Sequence, residues 1–182
     1  DQELKDILIS KVDKNLILIV LDQLSKRNIR LYLKELKYIL TIKDYPNDLK
    51  AIILELLADQ GIMEEVKFVN EDQEIDVDLT TLTPLMEQIS LEEILKLIEE
   101  KVDDKDVSIF NACQDLTVAY HASVYPLPIE EDEYALIAAS IYYAALTNYG
   151  IDKELEEVCK LFDVKSQFVE VYYEKMCKLS TF

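Results

Sequence analysis

Apolar residues recur at spacings of three and four between positions 3 and 26: Leu4, Ile7, Leu8, Val12, Leu16, Ile19, Val20 and Leu24. That period predicts amphipathic helix, which Asp13-Lys14-Asn15 can divide into two. Ile29, Leu31 and Leu33 then alternate, as a short strand would, and Leu33, Leu36, Tyr38, Ile39 and Leu40 predict a short helix. "TIKDYPNDL" reads as a turn, with Pro46 placed for the first turn of a helix over about 46–60. Leu49, Ile52, Ile53, Leu56 and Leu57 make one face of that helix, and Gly61 is expected to close it as a left-handed cap. Beyond Gly61 the period falls to two. Val66 and Phe68, a polar turn over 70–73, then Ile75, Val77 and Leu79 predict a two-stranded hairpin.

"LTTLTPL" reads as a short linker, and everything after it is helical in pattern. The first helix is "SLEEILKLIEEKV", with Ser90 expected as N-cap and Glu93 three positions on, a capping box. The second is "DKDVSIFNACQDLTVAYHAS" and the third "EYALIAASIYYAALTNY", closed by Gly150. "DKELEEVCKLF" and "KSQFVEVYYEKMCKL" follow, with a break near Asp163-Val164. The third helix is apolar nearly all round, so burial on every side is expected.

Two resemblances follow from these patterns. Helix, short strand, helix, helix, hairpin, over about 14–79, resembles a winged helix. "ALIAASIYYAA" followed by "ELEEVCKLFDVKSQFVEVYYEKM" resembles the second cyclin-type repeat of transcription factor IIB and its archaeal counterpart, over about 88–180. Ala138, Ala139, Ile141 and Tyr142 match that family's alanine-rich helix, and Tyr173, Glu174 and Lys175 stand where its final helix ends. The resemblances imply a mainly α chain: a winged-helix domain with a two-stranded wing over 1–82, then a five-helix cyclin-like bundle over 83–182. Family members read promoter DNA with the last helix, beside the TATA-binding protein. Here Lys165, Ser166 and Gln167 open that helix and could hydrogen-bond, whereas Glu170 stands where a base is expected. No paired CxxC of a zinc ribbon occurs.

Charge changes the functional expectation. The net charge is −18, and residues 61–182 carry all of it, with 27 acids against nine bases. Nucleic-acid affinity comes largely from Lys and Arg neutralising phosphates, so direct binding is disfavoured, as is an anionic membrane surface. The helix over 46–60 offers Asp48, Lys50, Glu55 and Asp59, and the hairpin offers seven acids against Lys67. Bases cluster only at Lys26, Arg27, Arg30, Lys34 and Lys37, a solvated face or a patch that meets an acidic partner.

Catalytic patterns are sparse. Two glycines permit no phosphate-cradling loop, and His121 is the only histidine, so a site needing two imidazoles is excluded. His121 reads as a structural or surface residue before a catalytic base. Cys113, eight residues earlier on one helix, is about 12 Å away by helical rise and out of bonding reach. Cys113, Cys159 and Cys177 are odd in number and widely spaced, which suits small hydrophobes in a reducing compartment. Glu130-Glu131-Asp132-Glu133 lacks calcium-loop spacing and reads as a loop capping the positive end of the third helix. Tyr142, Tyr143, Tyr172 and Tyr173 fall in pairs, one of each expected inward. The opening "DQELKDILIS" is charged, so no secretory signal is expected, and "LILIV" is far short of a membrane span.

The chain is therefore expected to be an intracellular protein, cytoplasmic or nuclear. The leading expectation is a non-enzymatic interaction module without cofactor or metal, a factor-IIB-like regulator contacting polymerase or an initiation factor. Its contact residues would be Lys26, Arg27, Arg30, Lys34, Lys37, Lys165, Ser166, Gln167, Glu170 and Glu174. The alternatives are an acidic mimic of nucleic acid, viral or plasmid-borne, and a winged-helix DNA-binding regulator.

Overall fold

A computed structural model describes residues 1–10, 13–102 and 106–179. Among the described residues the chain is mainly helical, with one small antiparallel sheet. It divides into two compact units, residues 1–84 with 124–126, and residues 85–123 with 127–182.

In the first unit, α1 (Gln2–Ser10) and α2 (Lys14–Ser25) are separate helices. Asp13 caps α2, accepting from the amides of Asn15 (2.9 Å) and Leu16 (3.4 Å). A carboxylate there satisfies two otherwise orphaned N–H groups at the positive end of the helix. The strand expected over 29–33 is instead a 3-10 turn, Ile29–Tyr32, running into α3 (Leu33–Leu40). Asn28 starts it, accepting from the Arg30 amide at 3.1 Å. The buried set is Ile29, Tyr32, Leu36, Ile39 and Leu40, a spacing of three and four, while Leu31 is 64% exposed. The alternation of Ile29, Leu31 and Leu33 was thus coincidental, and helical burial decided the local structure.

Helix α4 (Asn47–Asp59) begins just after Pro46, which is its N-cap and whose carbonyl accepts from Leu49 and Lys50. It is buried almost all round, by Leu49, Lys50, Ala51, Ile53, Leu54, Leu56 and Leu57. Two expectations fail here: Ile52 is partly exposed, and Lys50 is not a surface charge. Lys50 Nζ donates to the Val69 carbonyl at 2.6 Å and lies 5.5 Å from the centre of the Phe68 ring. A long aliphatic stem lets a lysine occupy an apolar site when its ammonium finds such partners.

Gly61 follows α4 with φ 72°, and the bonds Gly61 N–H to Ala58 O and Ile62 N–H to Leu57 O close the helix as a Schellman motif. The hairpin pairs β1 (Glu65–Asn70) with β2 (Gln73–Asp78). Val66 opposes Val77 and Phe68 opposes Ile75 on the inward face. Tyr125 belongs to this unit: its hydroxyl donates to Thr83 O at 2.8 Å and its carbonyl accepts from Asn47 at 2.9 Å.

The second unit is built on α7 (Tyr134–Asn148), which buries Ile137, Ala138, Ala139, Ser140, Ile141, Tyr142, Ala144, Ala145 and Leu146. Around it pack α5 (Ile89–Lys101), α8 (Leu155–Phe162) and α9 (Ser166–Cys177). Alanine at the contact positions lets these helices approach closely. Ser140 is fully buried, and its hydroxyl is shared between Leu136 O (2.7 Å) and Val169 O (3.1 Å), tying α9 to α7. Gly150, at φ 69°, ends α7 with the same paired closure as Gly61. Helix α6 (Val107–Val124) starts after Asp106, which caps it; residues 104–105 of the helix expected there lie outside the described residues.

The capping box expected at Ser90 is absent. Helix α5 starts two residues earlier than that cap implies, with Gln88 as its N-cap, and Ser90 is buried inside its first turn. A capping box occurs instead at Glu130 and Glu133, where the Glu133 carboxylate accepts from the Glu130 amide at 3.0 Å, at the 3-10 turn leading into α7. The acidic loop thus sits at the positive end of α7, as its sequence suggested.

Candidate functional site

The residues singled out by sequence fall in two places. Lys26 and Arg27 follow α2, Arg30 lies in the 3-10 turn, and Lys34 and Lys37 lie on α3. Most of this charge is already matched. Lys26 pairs with Asp22 at 2.7 Å, Arg27 with Asp1 at 3.3 Å, and Lys37 with Glu64 at 2.7 Å. Arg30 donates to the Gln60 carbonyl at 3.3 Å, at the negative end of α4. Lys34 is exposed beside Glu35, whose carboxyl is held below its usual range chiefly by a hydrogen bond from Lys5. Exposed pairs of this kind contribute little stability, about 0–1 kcal/mol each, but they do cancel the local field a phosphate would meet.

Nearby, the outward stripe of α4 consists of Asp48, Ile52, Glu55 and Asp59, every three or four residues along an otherwise buried helix. Asp48 pairs with Lys14. On the hairpin, Glu74, Asp76 and Asp78 all lie outward on β2, and Lys67 reaches Asp76 at 3.1 Å and Glu74 at 3.7 Å. Lys43 pairs with Asp72 at the turn.

The second place is the α8–turn–α9 segment. Asp163 takes the left-handed conformation (φ 53°) and lets Val164 N–H reach Cys159 O at 3.0 Å, the turn that separates the two helices. Lys165 is the N-cap of α9 but makes no side-chain cap. Lys165, Gln167, Glu170 and Glu174 are exposed, and Ser166 is half-buried. Helix α9 turns Val169 and Met176 inward, with Tyr172 and Tyr173 half-buried beside them. Tyr172 donates to Glu133 at 2.7 Å, and Tyr173 stacks edge-on against Tyr143 at 4.9 Å.

Sequence reasoning missed the apolar part of the outer face. Phe168 is 47% and Val171 52% exposed, three residues apart, with Lys175 four further on and Gln167 and Glu174 alongside. The available signal was that α9 carries more apolar residues than one inward stripe of Val169 and Met176 requires. The result is an apolar strip bordered by both signs of charge.

A buried pair was missed as well. Ser90 Oγ lies 2.7 Å from His121 Nε2, and His121 Nδ1 lies 2.7 Å from Thr117 O. A carbonyl only accepts, so the proton is on Nδ1, and Nε2 accepts from the serine hydroxyl. Burial holds the His121 pKa below its usual value, partly opposed by the bond to Thr117. Thr117 in turn donates to Cys113 O at 2.6 Å, and burial pushes the Cys113 thiol up to about 12. Serine, histidine and carbonyl form a satisfied chain, yet Ser90 and His121 are only 4% and 2% exposed. A nucleophile needs contact with its substrate, so this arrangement locks α5 to α6. Thirty-one residues separate its members, and no spacing rule reaches that far.

Cys113 and Cys159 are buried and Cys177 is exposed; all three are free thiols. Exposure of Cys177 departs from the expectation that the cysteines serve as core residues. Among the described residues, no three acidic, cysteine or histidine groups gather as metal ligands, and no helix is long and apolar enough to cross a membrane. The chain matches no family model, no curated protein and no solved structure.

Proposed function

We propose that this chain is a non-enzymatic protein-interaction module of the transcription apparatus, a diverged factor-IIB-like regulator. In this reading the first unit is a winged-helix variant that keeps its two-stranded wing, and the second is cyclin-like, with α7 as its central post. The order of α7, α8, left-handed turn and α9 supports the second assignment. The contact itself would be with protein. The observation that carries this is the exposed strip of Phe168 and Val171 on α9, beside Glu174 and Lys175. An apolar centre with a mixed charged rim suits a protein surface, whereas a helix reading DNA needs a net positive face.

Replacing Phe168 and Val171 together by aspartate tests this. The purified chain is expected to retain polymerase or an initiation factor from native extract, and F168D/V171D is expected to lose it while its circular dichroism is unchanged. Retention of no identified transcription component by the wild type, or undiminished retention by the variant, refutes the reading.

The acidic-mimic reading draws support from β2, where alternate residues Glu74, Asp76 and Asp78 place carboxylates roughly 6.8 Å apart along one outward edge. It requires inhibition of a nucleic-acid enzyme to be competitive with nucleic acid. The DNA-binding alternative is weakened by the pairing of Lys26, Arg27 and Lys37 with carboxylates. A retarded duplex in a gel shift at physiological salt would restore it.

A further inference from the structure

The hairpin of the first unit leaves one strand edge without a partner. β1 pairs with β2 and also packs against α3. Among the described residues no further strand pairs with β2, and β1 is the one element packed extensively along it. The register runs one to one from Glu65 opposite Asp78 to Asn70 opposite Gln73, without a bulge, and β2 contains no proline. Bulges and prolines are common devices that keep an exposed edge from pairing, and this edge has neither.

The ladder shows which backbone groups are open. Leu79 N–H donates to Glu64 O at 3.2 Å. Hydrogen-bonded pairs alternate along an antiparallel ladder, so Val66 with Val77, and Phe68 with Ile75, exchange bonds across the hairpin. The N–H and C=O groups of Glu74 and Asp76 therefore point away from β1, along the open edge. Their side chains are exposed on the outer face, while Ile75 between them is half-buried on the inner one. A strand laid along this edge alternates in the same way. One set of its side chains lies beside the carboxylates, and the other extends the cover over Ile75.

Charge selects the strand. The outer face carries Glu65, Glu74, Asp76 and Asp78 against Lys67. Lys67 is shared between Asp76 and Glu74 in exposed pairs, worth about 0–1 kcal/mol each and readily exchanged for cations on a partner. Asp78 is turned back onto Thr80, accepting from its amide at 2.9 Å and its hydroxyl at 2.6 Å, which leaves Glu74 and Asp76 as the acidic contacts. A second copy of the chain is a poor occupant, because β2 set antiparallel against β2 about Asp76 opposes carboxylate to carboxylate. We infer that the open edge of β2 docks an extended segment of a partner protein in which basic and apolar residues alternate, added to the hairpin as a third strand. Its affinity comes first from the main-chain groups of Glu74 and Asp76, and its selectivity from their carboxylates. Neither α9 nor the contact proposed there enters this inference.

A labelled peptide alternating lysine and valine (KVKVKVK), titrated with the full chain and followed by fluorescence anisotropy, is expected to bind, and its glutamate counterpart (EVEVEVE) is not. In hydrogen exchange on the wild-type chain, the lysine peptide is expected to slow the amides of Glu74 and Asp76 and to leave those of α9 unchanged. Asp76→Asn removes a charge and keeps the edge. Asp76→Pro removes in addition the outward N–H, which the ladder to β1 does not use. D76N is expected to weaken the lysine peptide about two-fold, and D76P a further five-fold or more, roughly the loss of one hydrogen bond. F168D/V171D is expected to bind the peptide as the wild type does. No binding of KVKVKVK, equal binding of EVEVEVE, no added protection at Glu74 and Asp76, or equal affinities of D76N and D76P would each overturn the docking site. Self-association of the chain that Asp76→Pro abolishes would also overturn it, by giving the edge to a second copy.

Discussion

His121 makes stability depend on pH in a way that can be isolated. In the folded chain the imidazole is neutral, donating from Nδ1 to Thr117 and accepting at Nε2 from Ser90. Burial depresses its pKa below the ordinary 6.5. The unfolded chain therefore takes up the proton first as pH falls. The stabilisation is complete above pH 6.5 and is lost progressively below it, until the folded site itself protonates. Linkage sets the slope at about 1.4 kcal/mol per pH unit over that interval. Between pH 6.5 and 5.0 the loss attributable to His121 is at most about 2 kcal/mol. Carboxylates titrate mainly below this range and are common to any variant. His121→Gln keeps a donor and an acceptor but cannot be protonated. It is expected to be less stable at pH 7.5 by about 1–3 kcal/mol, through imperfect hydrogen bonding of Ser90 or Thr117. Urea denaturation followed by circular dichroism, at half-unit steps from pH 7.5 to 5.0, should show the wild-type midpoint falling toward that of H121Q. Parallel curves would refute the account, because they would mean that His121 has the same proton affinity folded and unfolded.

Other substitutions test the packing. Asp163 holds a left-handed turn that glycine adopts without strain, so Asp163→Gly is expected to stabilise by about 0.5–1 kcal/mol, seen as a rise of a few degrees in the melting transition. Phe68→Ala removes a fully buried ring beneath the hairpin and is expected to cost about 3–5 kcal/mol by chemical denaturation. Ala139→Leu overfills a position with no exposure on α7 and is expected to cost about 1–3 kcal/mol. F168D/V171D, on the outer face of α9, is expected to change stability by no more than about 0.5 kcal/mol.

Legibility in the sequence followed the range of the interactions involved. The hairpin was readable because Val66, Phe68, Ile75 and Val77 obey a two-residue period, and Gly61 and Gly150 because few other residues end a helix so well. The burial of α7 over 137–146 was readable because that stretch is aliphatic or aromatic except for Ser140, which the backbone of α9 satisfies. The same inference failed for α4, where Lys50 looked like a surface charge; only the fold brings Val69 O within its reach. Ile29, Leu31 and Leu33 failed for the opposite reason, since three residues are too few to separate a strand from a helical turn. Ser90 was assigned a role at its own helix end, whereas its partner lies on another helix. The candidate contact residues were legible as residue types, but their pairing was not. Whether Lys37 faces a phosphate or Glu64 is decided in three dimensions.

The alanine-lined post of the second unit bears on how that unit comes apart. α5, α8 and α9 each rest on α7, so any of the three can fray while the rest of the bundle persists, but α7 cannot leave without uncovering all of them. Its amides, from Ile141 to Ala145 in particular, should exchange with solvent deuterium only through complete opening of the unit, and they therefore report its global stability directly.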